Sequence, residues 1–133
     1  MEFIEIFKAL SDENRIRILN LLKEGELCVC EIESILGITQ SNASRHLNKL
    51  RSLKIIGAEK KAQWVYYFID EEFVSKNKML FDYITEKLTK SDSYEKDIEK
   101  LNKYKCSDFT CKELTEDRDK VISCLEGNHE CKK

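Results

Sequence analysis

The chain has no proline and only four glycines, at positions 25, 37, 57 and 127. With so few residues able to end or bend a helix, a β-sandwich, which needs many turns, is disfavoured and a helix-rich architecture is expected. At 133 residues, 41% of them hydrophobic, the chain is the size of one domain with one modest core. That size argues against a multidomain enzyme.

The apolar residues follow helical spacing over most of the chain. Phe3, Ile4, Phe7 and Leu10 predict an amphipathic helix over residues 2–10. Ser11 is the expected N-cap of the next helix, followed by Asp12 and Glu13, where the dipole favours negative charge. Ile16, Ile18, Leu19, Leu21 and Leu22 make that helix central to the core, with Gly25 as its stop. Ile32, Ile35 and Leu36 mark a short helix ending at Gly37. Thr39 then caps a helix over 40–52 whose core face is Ala43, Leu47 and Leu50. Two helices around a short glycine-containing turn describe a helix-turn-helix.

The opposite face of the second helix offers Gln40, Ser41, Asn42, Ser44, Arg45, His46 and Lys49, side chains able to hydrogen-bond base edges and phosphates. Beyond it, residues 55–61 and 64–69 are β-branched and aromatic and read as a hairpin, the wing. Its Ala62-Gln63 tip lacks the glycine or asparagine of a tight turn, so a looser connection is expected. Lys60 and Lys61 on this arm would meet phosphates or the minor groove. The formal net charge is −2, yet residues 38–68 carry +5 and the remainder −7, which concentrates the positive field on this region. Downstream, Phe73, Val74, Met79, Leu80, Tyr83, Ile84 and Leu88 predict a helix over about 72–90, and Ile98 and Leu101 a further one over about 94–104. Their apolar faces exceed what one subunit covers, which points to a homodimer. The expected division is residues 1–90 as the DNA-binding and dimerisation domain and 91–133 as a C-terminal helix with a cysteine-rich tail.

No apolar run reaches the ~18–20 residues of a membrane span, and Met1-Glu2-Phe3 lacks the basic and apolar segments of a signal peptide. A cytoplasmic location is expected. In reducing cytosol the six cysteines read as metal-binding, redox-active or inert thiols rather than a disulfide scaffold. Cys28 and Cys30 lie at the start of the helix-turn-helix, and Cys106, Cys111, Cys124 and Cys131 lie in the tail with His129. In a regular helix, residues two apart point about 200° apart. Cys28 and Cys30 therefore reach one ion only if Cys28 precedes the helix or the first turn unwinds, so ligation there would alter how the reading helix is presented. Two scattered histidines, no glycine-rich phosphate loop and no nucleophile motif leave no candidate catalytic residues.

The runs Phe7-Lys8-Ala9-Leu10-Ser11-Asp12-Glu13-Asn14-Arg15-Ile16-Arg17-Ile18-Leu19, Glu26-Leu27-Cys28-Val29-Cys30-Glu31-Ile32 and Gln40-Ser41-Asn42-Ala43-Ser44-Arg45-His46-Leu47 resemble the ArsR/SmtB family of metal-sensing repressors. The resemblance implies a mainly α winged helix-turn-helix that dimerises through its N- and C-terminal helices. It also implies binding to a palindromic double-stranded operator and release by a soft metal or metalloid. It places Ser41, Ser44, Arg45 and His46 on the recognition helix, and residues 2–10 and 72–90 at the dimer contact. Glu-Leu-Cys-Val-Cys is similar more narrowly to the arsenite-responsive repressors, with As(III) or Sb(III) as inducer and other thiophilic ions as further candidates. Their pattern has a third cysteine where this chain has Glu33. Soft As(III) prefers thiolates to carboxylates, so Cys106 or Cys111, then Cys124 or Cys131, are the candidates for the missing ligand. Two alternatives stand beside this reading: a thiol redox or persulfide sensor on the same cysteines, and a metal-sequestering protein acting through its tail.

Overall fold

The computed structural model describes residues 2–107 together with Thr110, Leu114 and Ile122. Helix α1 (Glu2–Leu10) buries Ile6 and Ala9 and turns Phe3, Ile4 and Phe7 outward. Helix α2 (Glu13–Leu22) is capped by Asp12 rather than Ser11. Asp12 has the extended backbone of an N-cap, and its carboxylate accepts from the Arg15 N–H at 3.1 Å. The Ser11 hydroxyl instead donates to the Lys8 carbonyl and closes α1. Ile18, Leu19, Leu21 and Leu22 are buried, as their periodicity required.

A two-residue strand, β1 (Leu27–Cys28), which the sequence pattern did not announce, precedes α3 (Val29–Leu36). Gly37 ends α3 at φ 70°, a left-handed conformation that favours glycine, and its N–H donates to the Glu33 carbonyl. Thr39 then caps α4 (Gln40–Ser52), accepting from the Asn42 N–H at 3.2 Å. Strands β2 (Ile56–Lys61) and β3 (Trp64–Ile69) form the wing, and β1 joins them in an antiparallel sheet of order β1-β3-β2. Lys61 pairs directly with Trp64, so the tip is a tight two-residue connection. Ala62 adopts φ 57° to make it, a conformation that costs a non-glycine residue free energy and that the strand pairing imposes.

The helix expected over 72–90 is broken. Asp70 caps α5 (Glu71–Lys76), Asn77 leaves helical geometry at φ −127° and ψ 39°, and α6 (Lys78–Thr89) follows. The Asn77 side-chain amide donates to the Phe73 carbonyl at 3.1 Å, sharing it with the Asn77 backbone N–H at 2.9 Å, where the helix breaks. Helix α7 (Asp92–Cys106), expected over about 94–104, packs against the core. Leu101 and Tyr104 are buried in the same core as Ile18, Ile32, Ile35, Leu47 and Leu50. Arg17 on α2 holds Asp97 on α7 through two nitrogens at 2.8 and 3.1 Å, and its Nη2 also donates to the Leu36 carbonyl at 3.0 Å. That grip fixes α7 against α2 and the end of α3. Among the described residues no helix is long and apolar enough to cross a membrane.

Candidate nucleic-acid interface and thiol site

Helix α4 puts Ala43, Leu47 and Leu50 in the core, and this sets the exposure of everything else on it. Gln40, Ser41, Asn42, Arg45 and Lys49 are exposed, and Ser44 is half-buried. Arg45 reaches back to the Asn42 side-chain carbonyl at 3.4 Å, and the Lys49 ammonium is 3.9 Å from Glu5 of α1. The exposed set is a continuous polar and cationic surface suited to a groove lined with phosphates.

His46 does not belong to it. Its side chain is buried, with Nδ1 3.3 Å from the Arg15 guanidinium and Nε2 3.9 Å from the Asp12 carboxylate. Position 46 is three residues after Ala43 and four before Leu50, so it falls on the same helical face, and the assignment to solvent overlooked that spacing. Burial lowers the His46 pKa below its ordinary value, and the cations of Arg45 and Arg15 add to the shift against the opposing Asp12 charge. Arg15 also donates through Nε to the Ala9 carbonyl at 2.6 Å. This chain of contacts links the end of α1 to the middle of the recognition helix.

On the wing, Lys60 and Lys61 are both exposed but differ in partner. The Lys61 ammonium lies 2.5 Å from Glu26 and 5.7 Å above the Tyr66 ring, whereas Lys60 has no ion pair among the described residues. The hydrogen bond to Glu26 raises the Lys61 pKa.

Cys28 is the N-cap of α3, and Cys30 is its second residue. Cys28 precedes the helix, so both sulfurs reach one side, with Sγ atoms 2.9 Å apart and both residues buried. That distance exceeds the ~2.05 Å of a disulfide. The Cys28 sulfur is disulfide-bonded, whereas Cys30 is a thiol. Glu31, three residues into the helix, accepts from the Cys28 N–H at 2.9 Å. Tyr66 of β3 stands opposite Cys28 in the ladder. The Tyr104 hydroxyl is buried beside the Glu31 carboxylate without closing a hydrogen bond. Burial, then Glu31, pushes the ionisation of both phenols up, and Cys30 contributes to each. Glu26, Glu31, Tyr66 and Tyr104 were not singled out from sequence. Only Glu31, at the third helical position after Cys28, carried a local signal, that of a capping box.

The donor chemistry suits a soft ion, because the two side chains brought together are sulfurs. Cys28 and Cys30 are the residues that would hold such an ion, supplying two sulfur donors. Cys106 is the half-buried last residue of α7. Among the described residues no three His, Cys, Asp or Glu side chains form a metal-binding group. Cys111, Cys124, Cys131 and His129 lie outside the described residues.

Residues 12–56 match the model of the bacterial regulatory protein arsR family. The arsenical resistance operon repressor of Bacillus subtilis is 40% identical over 70 residues, 52% of this chain and 67% of that protein. A cadmium resistance transcriptional regulatory protein CadC homolog of Staphylococcus aureus is 43% identical over 75 residues, 56% of this chain and 62% of that one. The chain spans only about half of the length of other cadmium and arsenic resistance regulators that it matches. Among solved structures, the homodimeric winged helix-turn-helix DNA-binding domain of Mb0332 from Mycobacterium bovis aligns with a TM-score of 0.56 at 29% identity, over 64% of this chain and 79% of that one. A buried helix-turn-helix, a three-stranded wing and relatives that are transcription regulators rather than enzymes agree: the chain belongs to the ArsR family of bacterial regulatory proteins.

Proposed function

We propose that this protein is a cytoplasmic transcriptional repressor that binds a palindromic operator as a homodimer and leaves it when As(III) or Sb(III) binds its cysteine thiolates. The observation that carries the reading is the pair of sulfurs 2.9 Å apart at the N-terminus of α3, the first helix of the helix-turn-helix. Gln40, Ser41, Asn42, Ser44, Arg45 and Lys49 would face the major groove, with Lys60 and Lys61 on the flanking backbone. The dimer reading rests on the outward apolar side chains of α1 (Phe3, Ile4, Phe7) and α6 (Met79, Tyr83), which one subunit leaves in water. A soft ion supplies an acceptor that both thiolates can share. Cys28 and Cys30 would hold it, and because Cys28 is the α3 N-cap, ligation there would bear on the helix entry. The Glu31 carboxylate, which accepts from the Cys28 N–H, would pass any displacement of Cys28 into the first turn of α3. A tail cysteine, Cys106, Cys111, Cys124 or Cys131, would supply the third sulfur.

The test is operator binding by the reduced protein with and without sodium arsenite. The wild type is expected to dissociate, and a Cys28→Ser, Cys30→Ser double variant to stay bound. Dissociation of that variant by arsenite would overturn the assignment. The disulfide at Cys28 favours a second reading, a redox sensor on the same thiols. Release by peroxide or polysulfide with indifference to arsenite would select it. Tight metal retention by the tail without selective DNA binding would instead select a sequestering role.

A further inference from the structure

Resting on that reading, we propose that Glu26 is a positioning residue for DNA binding. It withholds Lys61 of the wing from phosphate when the Cys28 thiol is engaged, so that the thiol site acts on the wing as well as on the recognition helix.

Four residues form a closed circuit. Lys61 ends β2 with its ammonium 2.5 Å from Glu26 and 5.7 Å above the ring of Tyr66. Tyr66 stands opposite Cys28 in the β1–β3 ladder. Glu26 lies two residues before Cys28, and the residue between them, Leu27, is buried and paired with Tyr67. The short path from Cys28 to Glu26 is therefore extended and without slack, and a displacement at the Cys28 sulfur is carried to the Glu26 carboxylate. The first cysteine of the thiol pair belongs to the sheet of the wing, and it is one strand away from the lysine that the wing offers to DNA.

The pair is also weak enough to switch. Both side chains are largely solvated, 48% exposed for Lys61 and 39% for Glu26. Exposed ion pairs contribute little and yield to competitors, and a row of DNA phosphates is a strong competitor for an ammonium. With the thiols reduced and unligated, Lys61 exchanges Glu26 for phosphate. With Cys28 engaged, Glu26 is held against Lys61 and one cationic contact is withdrawn. Lys60, adjacent but without an ion pair among the described residues, is the internal control.

The experiment measures the salt dependence of affinity for a mixed-sequence duplex from 50 to 200 mM salt, on the reduced full chain with and without sodium arsenite. One phosphate contact changes the slope of log K against log salt by about 0.9, which over this range is about 3.5-fold in affinity. In arsenite, Glu26→Gln is expected to show a slope steeper than wild type by that amount. Without arsenite the two slopes should agree. Adding Lys61→Gln should abolish the difference, and adding Lys60→Gln should leave it. A Glu26→Gln difference that is the same with and without arsenite, absent in both, or still present in the Lys61→Gln background would overturn the proposal. Native mass spectrometry of the same samples reports whether arsenite is bound. No binding overturns the thiol reading itself, whereas binding without the slope difference overturns this inference alone.

Discussion

Two of the ion pairs that join distant parts of this chain differ in nearly every physical respect. Arg17 and Asp97 meet through two nitrogens, with side chains 25% and 8% exposed, and the same guanidinium reaches the Leu36 carbonyl. Lys61 and Glu26 meet through one ammonium in solvent. Buried paired charges are costly to break because the survivor stays desolvated, while exposed pairs can be exchanged for water or another anion at little cost. The first pair therefore belongs to a fixed scaffold of α2, the end of α3, and α7. The second belongs to a wing whose charge can be redirected.

Removing Asp97 tests this contrast most severely. Asp97→Ala leaves Arg17 partly buried without its carboxylate, and urea unfolding should show a loss of about 3 kcal/mol. A loss as small as that of a surface pair would place Arg17–Asp97 in the exchangeable class. The next effect concerns the buried contact between Arg15 and His46. His46 has its pKa lowered in the folded protein, so the unfolded chain binds the extra proton first as pH falls. Stability should therefore decline as pH drops below about 6.5 towards the folded value, by at most about 1.4 kcal/mol per pH unit. His46→Gln should flatten that decline in thermal unfolding between pH 7 and 5. An unchanged pH profile would mean that His46 titrates alike in both states. The smallest expected effect is on the wing: Glu26→Gln should leave the thermal midpoint unchanged, and a clear drop would mean that the pair supports the fold rather than adjusting the surface.

Much of the scaffold was readable from spacing alone. The apolar periods of α1 to α4 and the glycine at the αL end of α3 are local signals, and the helices follow them. What escaped depends on contacts between segments. Residues 27–28 become a strand because Tyr66 and Tyr67 lie opposite them, and two residues cannot show a period. Asn77 looks like an ordinary polar residue within a helix until its amide takes the Phe73 carbonyl. Asp12 outcompetes Ser11 for the α2 cap because its backbone is extended while Ser11 completes the preceding turn. At the site, the thiol pair was legible as a motif, and so was the basic face of α4. The partner of Lys61 was not, because Glu26 is 35 residues away and nothing in either neighbourhood announces the meeting.

The hold of Arg17 on the Leu36 carbonyl has a mechanical consequence for α3. That helix, eight residues and so about 12 Å long, is pinned at its C-terminal end by a guanidinium that is itself anchored to α7. A rod fixed at one end is a lever. Its pivot lies beside the turn into α4 and its other end carries the two sulfurs and joins the sheet through Cys28, so under the proposed switch a parting of the thiols would be taken up at the sheet end while the pinned end stays in register.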